Sequence, residues 1–333
     1  MIKHKNKDED ATIGPYLKVA TDGNYQENMP ATEIAKITTD NPWYILGAGA
    51  MGCLWASYLT LAGLPVVLIT RNKRNGNAIN LTKANHSQSI TIKQITLGEL
   101  KPSTLTIKHL LVTTKAQQTI SALSDIKPHI DNDAILFILQ NGMAGKHIAN
   151  LLPTQQLITG ITTDGAYRTD ELSVVHAGTG ETLLGDKSII DCLPKNHLAI
   201  KFCDDIDNKQ WQKLAINCAI NGLTAIYQCR NGELLENEEA LSRIKLLCNE
   251  ITAVMHALGL SVHQSIFDQT LHTLTITADN YSSMYQDCQQ QQSTEIDFIN
   301  GYLCSEAQRL NINCPENQRV LAAIKQIEQS YAQ

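Results

Sequence analysis

From Asn41 to Thr70 the 333-residue sequence has no charged side chain, and between Asp40 and Glu99 it has no carboxylate at all. The first gap invites a membrane reading, but Gly47, Gly49, Gly52, Gly63 and Pro65 interrupt it. The about 20 consecutive apolar residues that a spanning helix needs are therefore absent, and the stretch reads as buried strand, turn, buried helix and buried strand. A basic surplus is also lacking. Lys plus Arg number 27 against 33 Asp plus Glu, a formal charge of −6, the wrong sign for a protein that lives on nucleic acid. The N-terminal MIKHKNKDED holds no apolar core of the kind a secretory signal requires, so a cytoplasmic address is expected. The nine cysteines are odd in number and show no CxxC or Cys/His cluster, so neither a disulfide framework nor a metal site is expected. Small buried apolar residues in a reducing compartment account for them. No internal repeat is present, and the expected partner is a small molecule.

What is there suffices for cores, since 43% of the residues are hydrophobic, and the length suggests two domains. Residues 1–40 are polar and broken by Gly14-Pro15, Asp22-Gly23 and Met29-Pro30, and stay unassigned. Residues 41–204 read as a dinucleotide-binding domain. Apolar runs at Trp43–Leu46, Val66–Ile69, Leu110–Thr113, Ala134–Leu139 and Leu157–Thr162 alternate with helical patterns, which implies an α/β, Rossmann-like doubly wound, largely parallel sheet. Two short strands, Leu172–His176 and Glu181–Leu184, joined by Gly178-Thr179-Gly180, are expected to close it as a hairpin. Residues 205–333 then read as an all-helical domain, with helices over Asn208–Ala225, Asn237–Leu258, His263–Gln291, Thr294–Leu310 and Pro315–Tyr331.

Gly47-Ala48-Gly49-Ala50-Met51-Gly52 is a G-x-G-x-x-G that follows a strand and opens a helix, within a βαβ unit of about 30 residues. In that context Gly47 serves the tight turn, Gly49 lets the backbone approach a pyrophosphate, and Gly52 permits close helix-to-strand packing. The free N–H groups and positive end of the helix then face the phosphates. An NAD site places Asp or Glu about 20 residues on, at the end of the second strand. Here that strand ends Thr70-Arg71-Asn72-Lys73-Arg74. A guanidinium can bond a 2′-phosphate bidentately where a carboxylate would repel it, so NADP (NADPH) is the expected cofactor, with Arg71 as its contact.

A hydride cofactor needs a proton source and a partner for the developing oxyanion. The segment Trp211–Asn221 supplies candidates. At 100° per residue Lys213, Asn217 and Asn221 fall within about 80° on a helix, a polar seam in a segment with no other charge before Arg230. A lone helical lysine is ordinarily a surface residue; the apolar neighbours Leu214, Ala215, Cys218 and Ala219 argue against that reading here.

Several motifs in one order then resemble the ketopantoate (2-dehydropantoate 2-) reductases: the GAGAMG turn, Lys115 after the strand HLLVTT, Gln140-Asn141-Gly142-Met143, WQKLAINCAIN, Asn231-Gly232-Glu233-Leu234, SSMYQD at Ser282–Asp287 and Thr294–Gly301. The resemblance covers roughly residues 43–333. It implies NADPH-dependent reduction of 2-dehydropantoate to (R)-pantoate, in the route to pantothenate and coenzyme A, by a monomer or homodimer. It further implies Lys213 as proton donor; Asn217, Asn221 and Asn231 on the substrate's hydroxyl and oxo groups; Ser283 on its carboxylate; Asn141 between cofactor and substrate; Lys115 and Ala166 on the cofactor; and Glu295 beside both ligands. Read from the residues alone, Ser283 is more ordinarily a packing serine and Glu295 a cap of its own helix. Three departures stand out: the extension before the first strand, Gly222 where many relatives have proline, and Gln140 where histidine is frequent.

Two other readings use the same residues. One is an NADP-dependent reductase of another 2-oxo acid or an opine-like substrate; the other is an NADPH-sensing protein without turnover. A cleft between the two domains, at the carboxyl ends of the strands, is expected in each case.

Overall fold

The fully buried β1 (Trp43–Leu46) lies at the centre of the molecule, and the turn after it opens α1 (Ala50–Leu61). The chain returns as β2 (Val66–Thr70), parallel to β1 with Trp43 opposite Val66. The computed structural model describes residues 41–84, 86–100 and 105–332, so the extension 1–40 read in the sequence lies outside the described residues. Three strands follow, β3 (Ala78–Lys83), β4 (His86–Thr91) and β5 (Lys93–Thr96). Then come β6 (Ile107–Val112), α2 (Ala116–Ile126), β7 (Ile130–Leu139), α3 (Gly145–Leu151) and β8 (Gln156–Thr162). The sheet half ends with β9 (Gly165–Asp170), β10 (Ser173–Gly178), β11 (Thr182–Leu184) and β12 (Ile200–Phe202).

The main sheet has the order β12-β11-β8-β7-β6-β1-β2-β5, with every neighbouring pair parallel except β8–β11. Sequential winding runs outward from β1 in both directions, so the order reverses between β1 and β6. Crevices at such reversals, outside the carboxyl ends of the strands, are where sheets of this kind take ligands. Here the Thr113 N–H after β6 bonds the Leu46 carbonyl at 3.0 Å, holding the two strand ends together.

A second, four-stranded sheet, β4-β3-β10-β9, was not expected. Its exposed strand HSQSIT offers a single buried apolar residue, Ile90, so a search for apolar runs passes over it. Ile79, Leu81, Ile90 and Val174 of this sheet share a core with Trp55, Tyr58 and Leu59 of α1. The helix is thus covered by both sheets, which is why its sequence is apolar nearly all round. The expected hairpin is also corrected. Strand β10 pairs with β9 and β3 in the small sheet, whereas β11 lies antiparallel to β8 in the large one. The glycines between them carry the chain from one sheet to the other.

After Asp205 the described chain is helical: α4 (Ile206–Tyr227), α5 (Glu238–Ala257), α6 (Ile266–Ile276), α7 (Ser283–Gln289), α8 (Asn300–Arg309) and α9 (Pro315–Gln329). The single helix expected over His263–Gln291 is two, each with its own serine cap: Ser265 accepts from the Asp268 N–H and Ser282 from the Tyr285 N–H. Such caps satisfy otherwise orphaned donors and set a helix start against continuous periodicity. Likewise a 3-10 turn at Ile296–Phe298 precedes α8 where one helix was expected. The long α4 runs through the centre of the second core, with Leu214, Ala215, Cys218, Ala219 and Leu223 buried. A Cβ on Gly222 would lie 2.3 Å from Val320 Cγ1, so α4 and α9 touch at that glycine.

Candidate active site

The turn after β1 has the shape of a phosphate cradle. Gly47 has φ +108°, and a Cβ there would come within 2.8 Å of the Thr114 nitrogen. A Cβ on Gly52 would come within 1.8 Å of the Gly47 carbonyl oxygen. Gly49 instead faces open space, which a side chain would begin to fill. The first turn of α1 has neither a side-chain cap nor an acidic residue, so its N–H groups are presented bare. The Thr113 hydroxyl fixes the turn by donating to the Gly47 carbonyl at 2.9 Å. The backbone therefore fits a dinucleotide's phosphates, with Ala48, Ala50 and Met51 completing the loop.

Around the turn the cations are more numerous than the sequence suggested. Arg71 is exposed just beyond β2. Arg74 donates to the Glu171 carbonyl, and Arg168 of β9 donates to the Ala48 carbonyl within the turn at 3.4 Å. Arg168 escaped the sequence reading because β9 itself did. Ala166, half-buried, lies on the same strand opposite His176.

The helical half meets the strand ends at one cluster. Lys213 donates from Nζ to the carbonyl of Thr162, the last residue of β8, at 3.0 Å. Burial lowers its pKa to about 8, with the Glu295 carboxylate pulling the other way. Glu295 lies just before the 3-10 turn. Its Oε1 accepts from the Ala116 N–H at the start of α2, 3.0 Å away. Glu295 is thus not the cap of its own helix that its sequence neighbourhood suggests: its side chain makes no cap bond there and serves the start of α2 in the other half instead. Burial pushes the Glu295 carboxyl up, against the Ala116 N–H and the Lys115 and Lys213 ammoniums; Asp287 adds to the rise. Glu295 and Lys213 form no ion pair within 4 Å and act on each other through space. Lys115 reaches Asp287 at 2.5 Å and Gln292 at 3.5 Å, a second bridge between the halves. Its ammonium is thus directed to the helical half.

Beyond Lys213 the polar seam climbs α4. Asn217 is half-buried and Asn221 buried, and among the described residues neither amide has a protein hydrogen bond. Asn231 donates to the Thr277 hydroxyl at 2.8 Å, while its buried Oδ1 has no partner. An unpaired buried carbonyl is costly, so a ligand hydroxyl is the natural complement. Asn141 sits on the loop after β7, where Gly142 (φ +72°) and the Met143 N–H, 3.0 Å from the Phe298 carbonyl, press it against the Glu295 segment. Ser283 is exposed at the first residue of α7, and its neighbour Ser282 is the buried one, 2.7 Å from the Thr224 hydroxyl. Lys213 and Glu295 thus meet where the two halves join, Asn217 and Asn221 lie farther along α4, Asn141 lies on the loop that touches the Glu295 segment, and Ser283 and Arg71 are exposed. Among the described residues no group of three or more His, Cys, Asp or Glu could hold a metal ion, and no disulfide joins the described cysteines. No helix of the described residues is long and apolar enough to cross a membrane.

Comparison with known proteins decides the family. The profile "Ketopantoate reductase PanE/ApbA" matches residues 43–188, and its C-terminal counterpart matches residues 205–328. The chain is 34% identical over 298 residues to the 2-dehydropantoate 2-reductase of Vibrio cholerae, covering 86% of this chain and 98% of that one. The chain belongs to the ketopantoate reductase family. Membership reaches across distant organisms: the 2-dehydropantoate 2-reductase of Archaeoglobus fulgidus is 27% identical over 294 residues, 85% of this chain and 97% of that one. In fold, the ketopantoate reductase of Ralstonia eutropha JMP134 superposes with a TM-score of 0.81 at 24% identity, covering 88% and 100% of the two chains. D-mandelate dehydrogenase, solved with NADH and anilino(oxo)acetate, superposes at 0.80 with 23% identity over 87% and 99%. The same fold thus occurs in a ketopantoate reductase and in D-mandelate dehydrogenase.

Proposed function

We propose that this ketopantoate reductase reduces 2-dehydropantoate to (R)-pantoate with NADPH, as a cytoplasmic enzyme acting as a monomer or homodimer. The observation that carries the chemistry is the Lys213 ammonium, borne by the helical half and held at the Thr162 carbonyl at the carboxyl end of β8. The 34% identity to 2-dehydropantoate 2-reductases carries the substrate. When bound, NADPH supplies a hydride to the substrate's C2 carbon.

The chain's own residues do the rest. Negative charge grows on the C2 oxygen as the carbonyl is reduced, and Lys213 Nζ, by moving from the Thr162 carbonyl to that oxygen, stabilises it and gives up a proton. Glu295 helps keep Lys213 protonated until then. Asn217, Asn221 and the orphan Oδ1 of Asn231 fix the hydroxyl and oxo groups, Ser283 at the start of α7 takes the carboxylate, and Asn141 stands between substrate and cofactor. Lys115, Ala166 and Arg71 complete the cofactor contacts, with Arg71 on the 2′-phosphate. Following NADPH absorbance across a panel of 2-oxo acids tests the reading: 2-dehydropantoate should be preferred, and absence of preference would defeat the assignment.

Two quantitative expectations arise here. Only the ammonium form of Lys213 can donate a proton, so kcat/KM for reduction should be high below about pH 8 and fall as pH rises through it. Glu295→Gln removes the anion that raises the Lys213 pKa, so the alkaline limb should move to lower pH; a limb that stays put or moves up would contradict this. Secondly, Arg71→Ala should weaken NADPH binding about tenfold while leaving NADH unchanged, as expected for one charge-assisted hydrogen bond to a phosphate. Fluorescence titration with both nucleotides measures it.

A further inference from the structure

Behind the proton donor lies a set of buried polar groups that the reaction does not touch. The Thr162 hydroxyl donates to Asp164 Oδ2 at 3.0 Å and accepts from the Asp164 N–H at 3.1 Å. Asp164 Oδ1 accepts from the Gly180 N–H and from His176 Nε2, both at 3.0 Å. His176 Nδ1 accepts in turn from the Tyr58 hydroxyl at 2.7 Å. The His176 and Asp164 side chains are 0% and 1% exposed, so no substrate reaches them. A carboxylate accepts only, which assigns the ring proton to Nε2 and leaves Nδ1 for Tyr58.

A buried carboxylate and imidazole add little to stability compared with well-packed apolar residues; what such a network can give is one defined geometry. Three partners, Thr162, Gly180 and His176, hold Asp164 through four hydrogen bonds, and the place they define is the end of β8. There the Thr162 carbonyl takes Lys213. At the far end Tyr58 belongs to α1, whose first turn is the phosphate cradle. Lys83 of β3 lies 5.8 Å over the Tyr58 ring and His197 stacks on it at 5.3 Å, closing the remaining sides.

Resting on the proposed role of Lys213, we infer that Tyr58, His176 and Asp164 are positioning residues for the reduction, tying the cofactor-binding helix to the carbonyl that presents the proton donor. Asp164→Asn keeps an oxygen for Gly180 and His176 but replaces Oδ2 with an amide NH2, which cannot accept from the Thr162 hydroxyl. Thr162→Val cuts the link between that carboxylate and the strand while keeping the carbonyl that Lys213 uses, and Tyr58→Phe removes only the outermost hydroxyl. Asp164→Asn and Thr162→Val should each lower kcat about tenfold, the scale of one hydrogen bond to a charged group, with KM for NADPH within twofold. Both should displace the alkaline limb of kcat. Their double variant should be no worse than either alone, because the two residues act in series. Tyr58→Phe should show the same pattern more weakly; it and Thr162→Val decide the matter if Asp164→Asn does not fold.

A lowered melting temperature with unchanged kcat and limb would reduce the network to structural support and overturn the inference, as would a rise in KM alone. Titration of Lys213 Nζ by nitrogen-15 NMR needs no substrate. A midpoint displaced in Thr162→Val relative to wild type supports the inference whichever 2-oxo acid is turned over, and an identical midpoint refutes it. Failure of wild type to reduce 2-dehydropantoate would instead defeat the substrate assignment.

Discussion

Lys213→Ala is expected to lower kcat by about 10² to 10⁴, the usual worth of a positioned general acid, or roughly 3 to 5 kcal/mol of barrier. The reason is geometric. Lys213 is the helical side chain that bonds the carboxyl end of β8, and its ammonium sits against Thr162 rather than in solvent. Lysine to alanine also deletes a charge held partly out of water, so the fold should not suffer; desolvation already works against that charge, as its lowered pKa of about 8 shows. NADPH affinity should stay within a few-fold, since the cradle belongs to the other half. Steady-state turnover beside a nucleotide titration separates the two effects. Near-normal kcat would remove Lys213 from the mechanism.

Gly52→Ala is expected to disable the cofactor site from the opposite side. The added Cβ would lie 1.8 Å from the Gly47 carbonyl oxygen and 2.7 Å from the Thr113 hydroxyl. Neither is the loose end of a long side chain. The Gly47 peptide must rotate or α1 must move away from β1, and either change undoes the Thr113 bond that shapes the turn. Overpacking of this kind costs about 1 to 3 kcal/mol or more. Spent on the turn, that is about 10- to 100-fold or more in NADPH affinity. Gly49→Ala makes the informative contrast, because its Cβ meets nothing in the protein. It should fold like wild type and lose affinity only through contact with the nucleotide. Circular dichroism melts beside fluorescence titrations distinguish the cases, and wild-type affinity in Gly52→Ala would show that the turn tolerates a side chain.

The parts of this molecule legible in the sequence are those with local signatures. Strand, glycine turn and buried helix announce themselves between Pro42 and Thr70 because each depends on residues adjacent in the chain. The Lys213–Asn217–Asn221 seam is visible for the same reason, being a matter of helical period. The second sheet is hidden because β4 is nearly all polar and β9 is mostly exposed, so neither leaves an apolar run to find. Glu295 shows the limit most clearly. Its sequence neighbourhood says local cap, but the side chain makes no cap bond there, and the N–H it accepts from lies 179 positions away on α2. The break between α6 and α7 was obscured because apolar spacing persists across it, and only the serine caps mark it. Asp164, in the turn between β8 and β9, and His176, on β10, stand 12 positions apart, and no local pattern joins them.

The contact between α4 and α9 limits how this chain can vary. The α4 backbone at Gly222 abuts Val320 of the final long helix so closely that the space of a methyl group is already taken. Size at one position is therefore owed to smallness at the other. A lineage enlarging residue 222 must first trim residue 320, or else push α4 sideways and carry Asn217 and Asn221 with it. The final long helix thereby acts as a gauge for where the middle of α4 can lie.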